Sequence, residues 1–269
     1  MSSSGTTVLI TGASSGIGAG LAREFARRGA RVALVARRVD QLEALADELR
    51  RGGAQASAHR GDVTRDGDIA GVITELGKEG VVPDIVVANA GFGVVGAAHR
   101  LTVADYQRQF DTNVFGVVRT LHETIDSLRR TRGRFVIMGS AAAYASAPGG
   151  SAYAMSKFAV RALAESLHGD LQSAGIGVTL ISPGFIDSDI RRVDNQGGHH
   201  ADAPDPVPAW LRMRTHKAAR VMARGILRGK REVIVTMHAK LLVALARHFP
   251  RITRFVLTRG SSRPEPGSG

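Results

Sequence analysis

Thr11-Gly12-Ala13-Ser14-Ser15-Gly16-Ile17-Gly18 stands between a short β-branched run, Thr6–Thr11, and a helix-like stretch that continues to Gly29. Gly12, Gly16 and Gly18 permit a tight turn and let backbone approach a pyrophosphate, whose charge the helix N-terminus favours. Ser14, Ser15 and Ile17 belong to the same candidate nucleotide-binding turn. A glycine-rich turn alone says little. Here a second apolar run, Arg31–Ala36, follows the helix, so strand, turn, helix and strand fall within about 30 residues. No Gly-Lys-Ser/Thr follows the turn, which excludes a Walker-type site.

The end of the second run bears on the nucleotide. An acidic residue there would accept the adenosine ribose hydroxyls of NAD. The chain instead reads Ala36-Arg37-Arg38, with Asp40 slightly later. The guanidinium fork suits a phosphate, so Arg37 and Arg38 predict NADP(H) rather than NAD(H). The competing reading is two solubilising surface charges.

Further out, the same alternation continues. Strands are expected at Gln55–His59, Asp84–Ala88, Arg134–Gly139, Val178–Ile181 and Arg231–Thr236. Helices are expected at Gln41–Arg51, Asp66–Gly77, Thr102 to Leu128, 151–173 and 215–228. Thr102 is a candidate cap, with Asp105 completing an imperfect capping box. Strands spaced by helical crossovers predict an α/β fold: one Rossmann-like, doubly wound parallel sheet of about seven strands, helices on both faces. One domain is expected over residues 1–258. Residues 190–214, polar and proline-bearing, read as a substrate loop or lid, or else as a surface excursion. Residues 259–269 read as a disordered tail.

Composition narrows the function classes. The 269 residues include no cysteine, which excludes a disulfide scaffold, a thiolate nucleophile and a zinc–sulfur site. No apolar run is long enough to span a bilayer, and Met1–Gly5, without charged side chains, is not read as a signal peptide. The net charge of +12 is uneven: residues 1–203 carry 22 Lys/Arg and 21 Asp/Glu, residues 204–269 carry 14 and 3. Such a basic end can meet nucleic acid, anionic membrane or solvent. No nucleic-acid motif accompanies it and only 5% of residues are aromatic, so a nucleic-acid partner is not expected. His199 and His200 lack a carboxylate cage, and no metal site is expected.

Three residues suggest the chemistry. Ser140 closes a strand at the carboxyl edge of the predicted sheet, where α/β sites lie. Tyr153 and Lys157 are four apart at the start of a helix and share a face. A phenol has an ordinary pKa near 10, and a nearby ammonium favours its anion, bringing it nearer to acid–base work at neutral pH.

Together these residues resemble the classical short-chain dehydrogenase/reductase family. The glycine motif is Thr11 to Gly18, and the Tyr-x-x-x-Lys pair is Tyr153-Ala-Met-Ser-Lys157. The resemblance implies further assignments: Asp62 and Val63 on the adenine side, Asn89-Ala90-Gly91 after the fourth strand, and a catalytic Asn113. It also implies Pro183-Gly184 after the sixth strand, with Ile186 and Ser188 near the nicotinamide carboxamide; the family more often has threonine at the last position. The match runs in order from about residue 5 to 190. It implies hydride transfer between nicotinamide C4 and a carbonyl or secondary alcohol. Tyr153 would move the proton, Lys157 hold the ribose and lower the phenol's pKa, Ser140 orient the carbonyl and Asn113 support a relay water. Extended relatives acting on nucleotide sugars have a different glycine spacing and a larger C-terminal part.

The family also implies a homodimer or homotetramer through helices 102–128 and 151–173. Phe92, Gly93, Ala141–Ala147, Phe185, Ile190, Trp210 and Met213 are candidate pocket residues for a hydrophobic ketone, lipid or steroid-like substrate, or ordinary core and lid packing. Residues 237–257 form a basic amphipathic extension similar to those of membrane-associated or lipid-facing members. Peripheral membrane contact, packing within the protein or oligomer, and some other role are all open to it. The expected location is cytoplasmic, or peripheral at a membrane surface. The functional expectation is an NADPH-dependent ketoreductase; the alternative is a catalytically silent NADP(H)-binding scaffold or regulatory protein.

Overall fold

Val8, Leu9 and Ile10 are wholly buried, and they alternate: Val8 and Ile10 enter one core layer while Leu9 enters the other. That period of two on a strand buried on both faces is the pattern of a covered parallel sheet. The computed structural model describes residues 3, 5–188, 190, 194–196, 198, 200, 205 and 207–259. Seven strands line up as β3 (Ala56–Arg60), β2 (Arg31–Ala36), β1 (Thr7–Thr11), β4 (Ile85–Ala88), β5 (Arg134–Met138), β6 (Gly177–Pro183) and β7 (Glu232–Val235). Every neighbouring pair is parallel. The chain winds outward from β1 to β3, then returns to lay β4 against the other side of β1. A crevice opens at the carboxyl ends of these two strands, at the point of reversal.

Helices α1 (Gly16–Arg27), α2 (Val39–Arg51) and α7 (Thr215–Leu227) close one core layer, with Phe25, Leu21 and Leu42 fully buried. Helices α3 (Asp68–Lys78), α5 (Gly116–Thr131) and α6 (Ser151–Asp170) close the other around Phe135, Leu128 and Ile69. Each such side chain contributes roughly 1.5–3 kcal/mol through removal from water.

The single helix expected from Thr102 to Leu128 is broken. Helix α4 spans Val103–Phe110, a π-turn spans Asp111–Phe115, and α5 then runs to Thr131. The capping box at Thr102 is complete: its side chain accepts from the Asp105 N–H, and Asp105 accepts from the Thr102 N–H. The π-turn holds the buried Asn113, whose bonds to two other elements explain the break. The expected extension is two helices, α8 (Met237–His248) and α9 (Pro250–Arg259). Among the described residues no helix is long and apolar enough to cross a membrane. His199, most of 189–206 and the expected tail beyond Arg259 lie outside the described residues.

Candidate active site

Gly12 (φ +65°) and Gly16 (φ +54°) adopt backbone that L side chains rarely take. A Cβ on Gly12 would lie 2.7 Å from Ala90 Cα, and one on Gly18 would collide with the Gly12 carbonyl. The turn is pinned from β4: Asn89 Nδ2 donates to the carbonyls of Thr11 (2.9 Å) and Gly12 (3.2 Å). In return Thr11 Oγ1 accepts from the N–H groups of Asn89 and Ala90. Asn89-Ala90-Gly91 is thus the buttress of the glycine turn. Ser15 stands at the N-cap of α1, yet its side chain makes no cap bond and the first turn has no acid. The helix N-terminus is therefore left to an anionic ligand, which a pyrophosphate fits.

Arg38 lies against this turn: Nη2 donates to Ser14 Oγ and Ser15 Oγ, both at 2.9 Å, and Nε to Ser14 Oγ at 3.2 Å. Arg37 is exposed and makes no hydrogen bond within the described residues. Asp62 Oδ1 accepts from the Thr64 N–H (3.0 Å) and Oγ1 (2.8 Å), while Val63 is buried against Gly116. Asp62 and Val63 thus follow β3, beside the crevice.

Of the four expected catalytic residues, Asn113 and Tyr153 are linked through Ser156, while Lys157 and Ser140 are held by main-chain groups. Asn113 Oδ1 accepts from the Phe92 N–H (3.1 Å); Nδ2 donates to the Phe92 carbonyl (3.0 Å) and to Ser156 Oγ (3.2 Å). Ser156 Oγ donates to the Tyr153 carbonyl at 2.7 Å. Lys157 Nζ donates to the carbonyl of Met138, the last residue of β5 and two before Ser140, at 2.8 Å. The same ammonium lies 5.6 Å from the Tyr153 ring centre. Burial pushes Lys157 down to about 8 from its ordinary 10.5, leaving it mostly cationic at pH 7. Tyr153 is half-buried, with Gly93 packed on its ring edge. Ser140 is extended, and its Oγ accepts from the Ala142 N–H at 3.1 Å, so the hydroxyl proton can point elsewhere.

On the other side, Phe185 carries its backbone between two supports. Its N–H donates to His238 Nε2 (3.0 Å) and its carbonyl accepts from the Met213 N–H (3.0 Å). Ile186 pairs with Met213 as an isolated bridge, and the side chains of both pack into or against the core layer of α1 and α7. Met213 is thus partly buried against the core, as the packing alternative for it expects, and Ile186 is buried; Gly184 and Ser188 are half-buried in the same turn. Of the expected lid, Asn195 is bonded to Val95, accepting from its N–H (3.0 Å) and donating to its carbonyl (2.9 Å). Trp210 is 83% exposed.

Two participants are absent from the sequence reading. Ser156 sits inside the Tyr-x-x-x-Lys motif, where its hydroxyl is easily taken for filler. Gln109, buried one helical turn before Asn113, holds the Phe92 carbonyl (2.9 Å) and the Val94 N–H (2.6 Å). Its signal was the four-residue spacing from Asn113. Among the described residues no group of three His, Asp or Glu side chains is placed to hold a metal.

Comparison with known proteins bears on this arrangement. Residues 6–198 match the short chain dehydrogenase family model. The chain is 37% identical over 245 residues to an uncharacterized oxidoreductase of Myxococcus xanthus, covering 91% of this chain and 92% of that protein. It is 32% identical over 254 residues to an 11-beta-hydroxysteroid dehydrogenase-like 4A of Arabidopsis thaliana, covering 92% and 82%. Among solved structures, a short-chain dehydrogenase from Sphingobium yanoikuyae in complex with NADPH superimposes with a TM-score of 0.75 at 29% identity, covering 98% of both chains.

Proposed function

This chain belongs to the short-chain dehydrogenase family, and from that premise we propose that it is an NADP(H)-dependent reductase of a hydrophobic ketone. The observation that carries the reading is the bonded set of Asn113, Ser156 and Tyr153, with the Lys157 ammonium 5.6 Å from the Tyr153 ring centre, next to a helix N-terminus left open to a pyrophosphate. Bound in the crevice, NADP(H) supplies the hydride. Tyr153 gives its phenolic proton to the carbonyl oxygen of the substrate. Lys157, cationic at pH 7, favours the phenolate that this leaves and holds the nicotinamide ribose hydroxyls. Ser140 orients the carbonyl with its free hydroxyl proton. Asn113 ties the Phe92 loop to α6 and supports the water that returns protons to the pair. The test is the oxidation of NADPH against a panel of ketones and aldehydes. Silence across it, with tight NADPH binding, favours a nucleotide-holding scaffold instead.

Arg37 supports the choice of cofactor, because Arg38 is engaged with Ser14 and Ser15 while Arg37 is free to meet a 2′-phosphate. Loss of one charge-assisted contact costs about 1.5–3 kcal/mol. Arg37→Ala should therefore weaken NADPH by about tenfold or more and leave NADH unchanged in a fluorescence titration. Equal effects on both nucleotides would return Arg37 to the role of surface charge.

The small Ala142 after Ser140, with the half-buried Phe92 and the exposed Phe185, supports a bulky apolar substrate. The plant relative carries a steroid in its name, which supports a substrate of that apolar class. Exposed Phe115, Met155 and Phe158, and a hollow of about 430 Å³ lined by Phe110, Ala154 and Met155, support a homo-oligomer through α4, α5 and α6. Helices α8 and α9 expose Leu241, Ile252, Phe255 and Val256 among basic residues, without an acid between Met237 and Arg259. That surface supports peripheral contact with anionic lipid. Full-length protein should sediment with anionic vesicles at low salt and be released at high salt; if it stays in the supernatant at low salt, the contact is dropped.

A further inference from the structure

His238 lies 53 residues after Phe185 in the chain, yet its ring covers the turn that follows β6. Its Nε2 accepts the Phe185 N–H at 3.0 Å, and the imidazole stacks on the Phe185 ring with centres 5.4 Å apart and planes at 27°. The fit is close: a Cβ on Gly184 would collide with both His238 Nε2 and Thr236 Oγ1. Thr236 pays for the approach, since a β-branched residue at φ +84° is strained. That strained residue turns the chain from β7 into α8, caps the helix by accepting from the Ala239 N–H, and places its Oγ1 3.1 Å from His238 Nε2. Burial lowers the imidazole below its ordinary range, so at neutral pH the ring keeps the lone pair that this acceptor role demands.

We infer that His238 is a positioning residue for the nicotinamide half of the site: it fixes the Phe185 backbone from one side while Met213 fixes it from the other, and so holds the Pro183–Ser188 turn in the shape that receives the nicotinamide. The inference rests on the NADP(H) reading above. Its consequence is selective, because the glycine turn and Arg37 lie at the opposite end of the crevice and share no bond with His238. Removal of the imidazole should therefore weaken ligands that carry a nicotinamide and spare those that stop at the adenosine side.

Isothermal titration of the full chain with NADPH and with 2′-phospho-ADP-ribose, which lacks the nicotinamide, tests this. His238→Ala should raise the Kd for NADPH about tenfold or more and change that for 2′-phospho-ADP-ribose by less than twofold. His238→Gln places an amide oxygen where Nε2 accepts, and should bring NADPH binding back to within about threefold of the native protein. Retained binding of the truncated nucleotide also shows that the variant is folded. Unchanged NADPH affinity in His238→Ala, equal loss of both ligands, or no rescue by glutamine would each overturn the inference. Native protein that binds neither ligand would overturn the cofactor reading itself and the inference with it; native binding of both with an unaffected alanine variant overturns the inference alone.

Discussion

Tyr153→Phe should lose roughly 10²- to 10⁴-fold in turnover with NADPH, the span typical of a positioned acid–base group, while its affinity for NADPH changes by less than about twofold. The substitution removes one hydroxyl and keeps the ring, and the ring does the packing: Gly93 lies on its edge and the Lys157 ammonium 5.6 Å from its centre. The bond from Ser156 Oγ to the Tyr153 carbonyl is to main chain and survives the change. Binding and chemistry are therefore separable at this position. Single-turnover oxidation of bound NADPH with a reactive ketone, beside a binding titration, reads both; normal turnover in the variant would remove Tyr153 from the mechanism.

Lys157→Met should abolish turnover and yet make the protein more stable at pH 7. Burial holds the lysine near 8 in the folded chain against 10.5 when unfolded. Between those values the unfolded chain binds more protons than the folded one, so native stability rises with pH across that window. Below about pH 8 both states are protonated, and the cost of enclosing the cation, about 3 kcal/mol, is present in full. Methionine fills a similar volume without charge, and offsets only part of its gain by leaving the Met138 carbonyl without the lysine's donation. In urea titrations, the difference between variant and native protein should be flat from pH 6 to 7.5, then shift by about 3 kcal/mol toward the native protein near pH 10.5. A difference independent of pH would mean that the enclosed lysine carries no such cost.

Where an element's signal is local, the chain could be read well. The strands at 31–36, 85–88 and 134–138 stand within a residue of expectation, because each is a β-branched or apolar run between turn formers. The glycine turn and the Tyr153–Lys157 pair are equally local, and a family likeness attached roles to Asn89, Asn113 and Pro183 that periodicity could not. What escaped was non-local. Nothing in Asp111–Phe115 announces a π-turn; it exists because Asn113 reaches Phe92 and Ser156, 21 and 43 residues away. Arg38 looked free for a phosphate, but its partners Ser14 and Ser15 lie on another element. His238 carries no signal in its own stretch of sequence, because its partner Phe185 lies 53 residues away.

The reversal of winding between β1 and β4, with the two ends of the crevice built from segments far apart in the chain, orders events at the ribosome. The glycine turn and its Asn89 buttress precede the Phe185 turn in the chain and leave the ribosome before it. The turn at Phe185 has neither of its supports until Met213, and then His238, have been translated. At about 5–20 residues per second, roughly 150 residues separate the two halves by some 7–30 s. For that interval a nascent chain has the bonds that pin the glycine turn without those that fix the Phe185 turn, so on our proposal the nicotinamide side of the site is completed after the adenosine side.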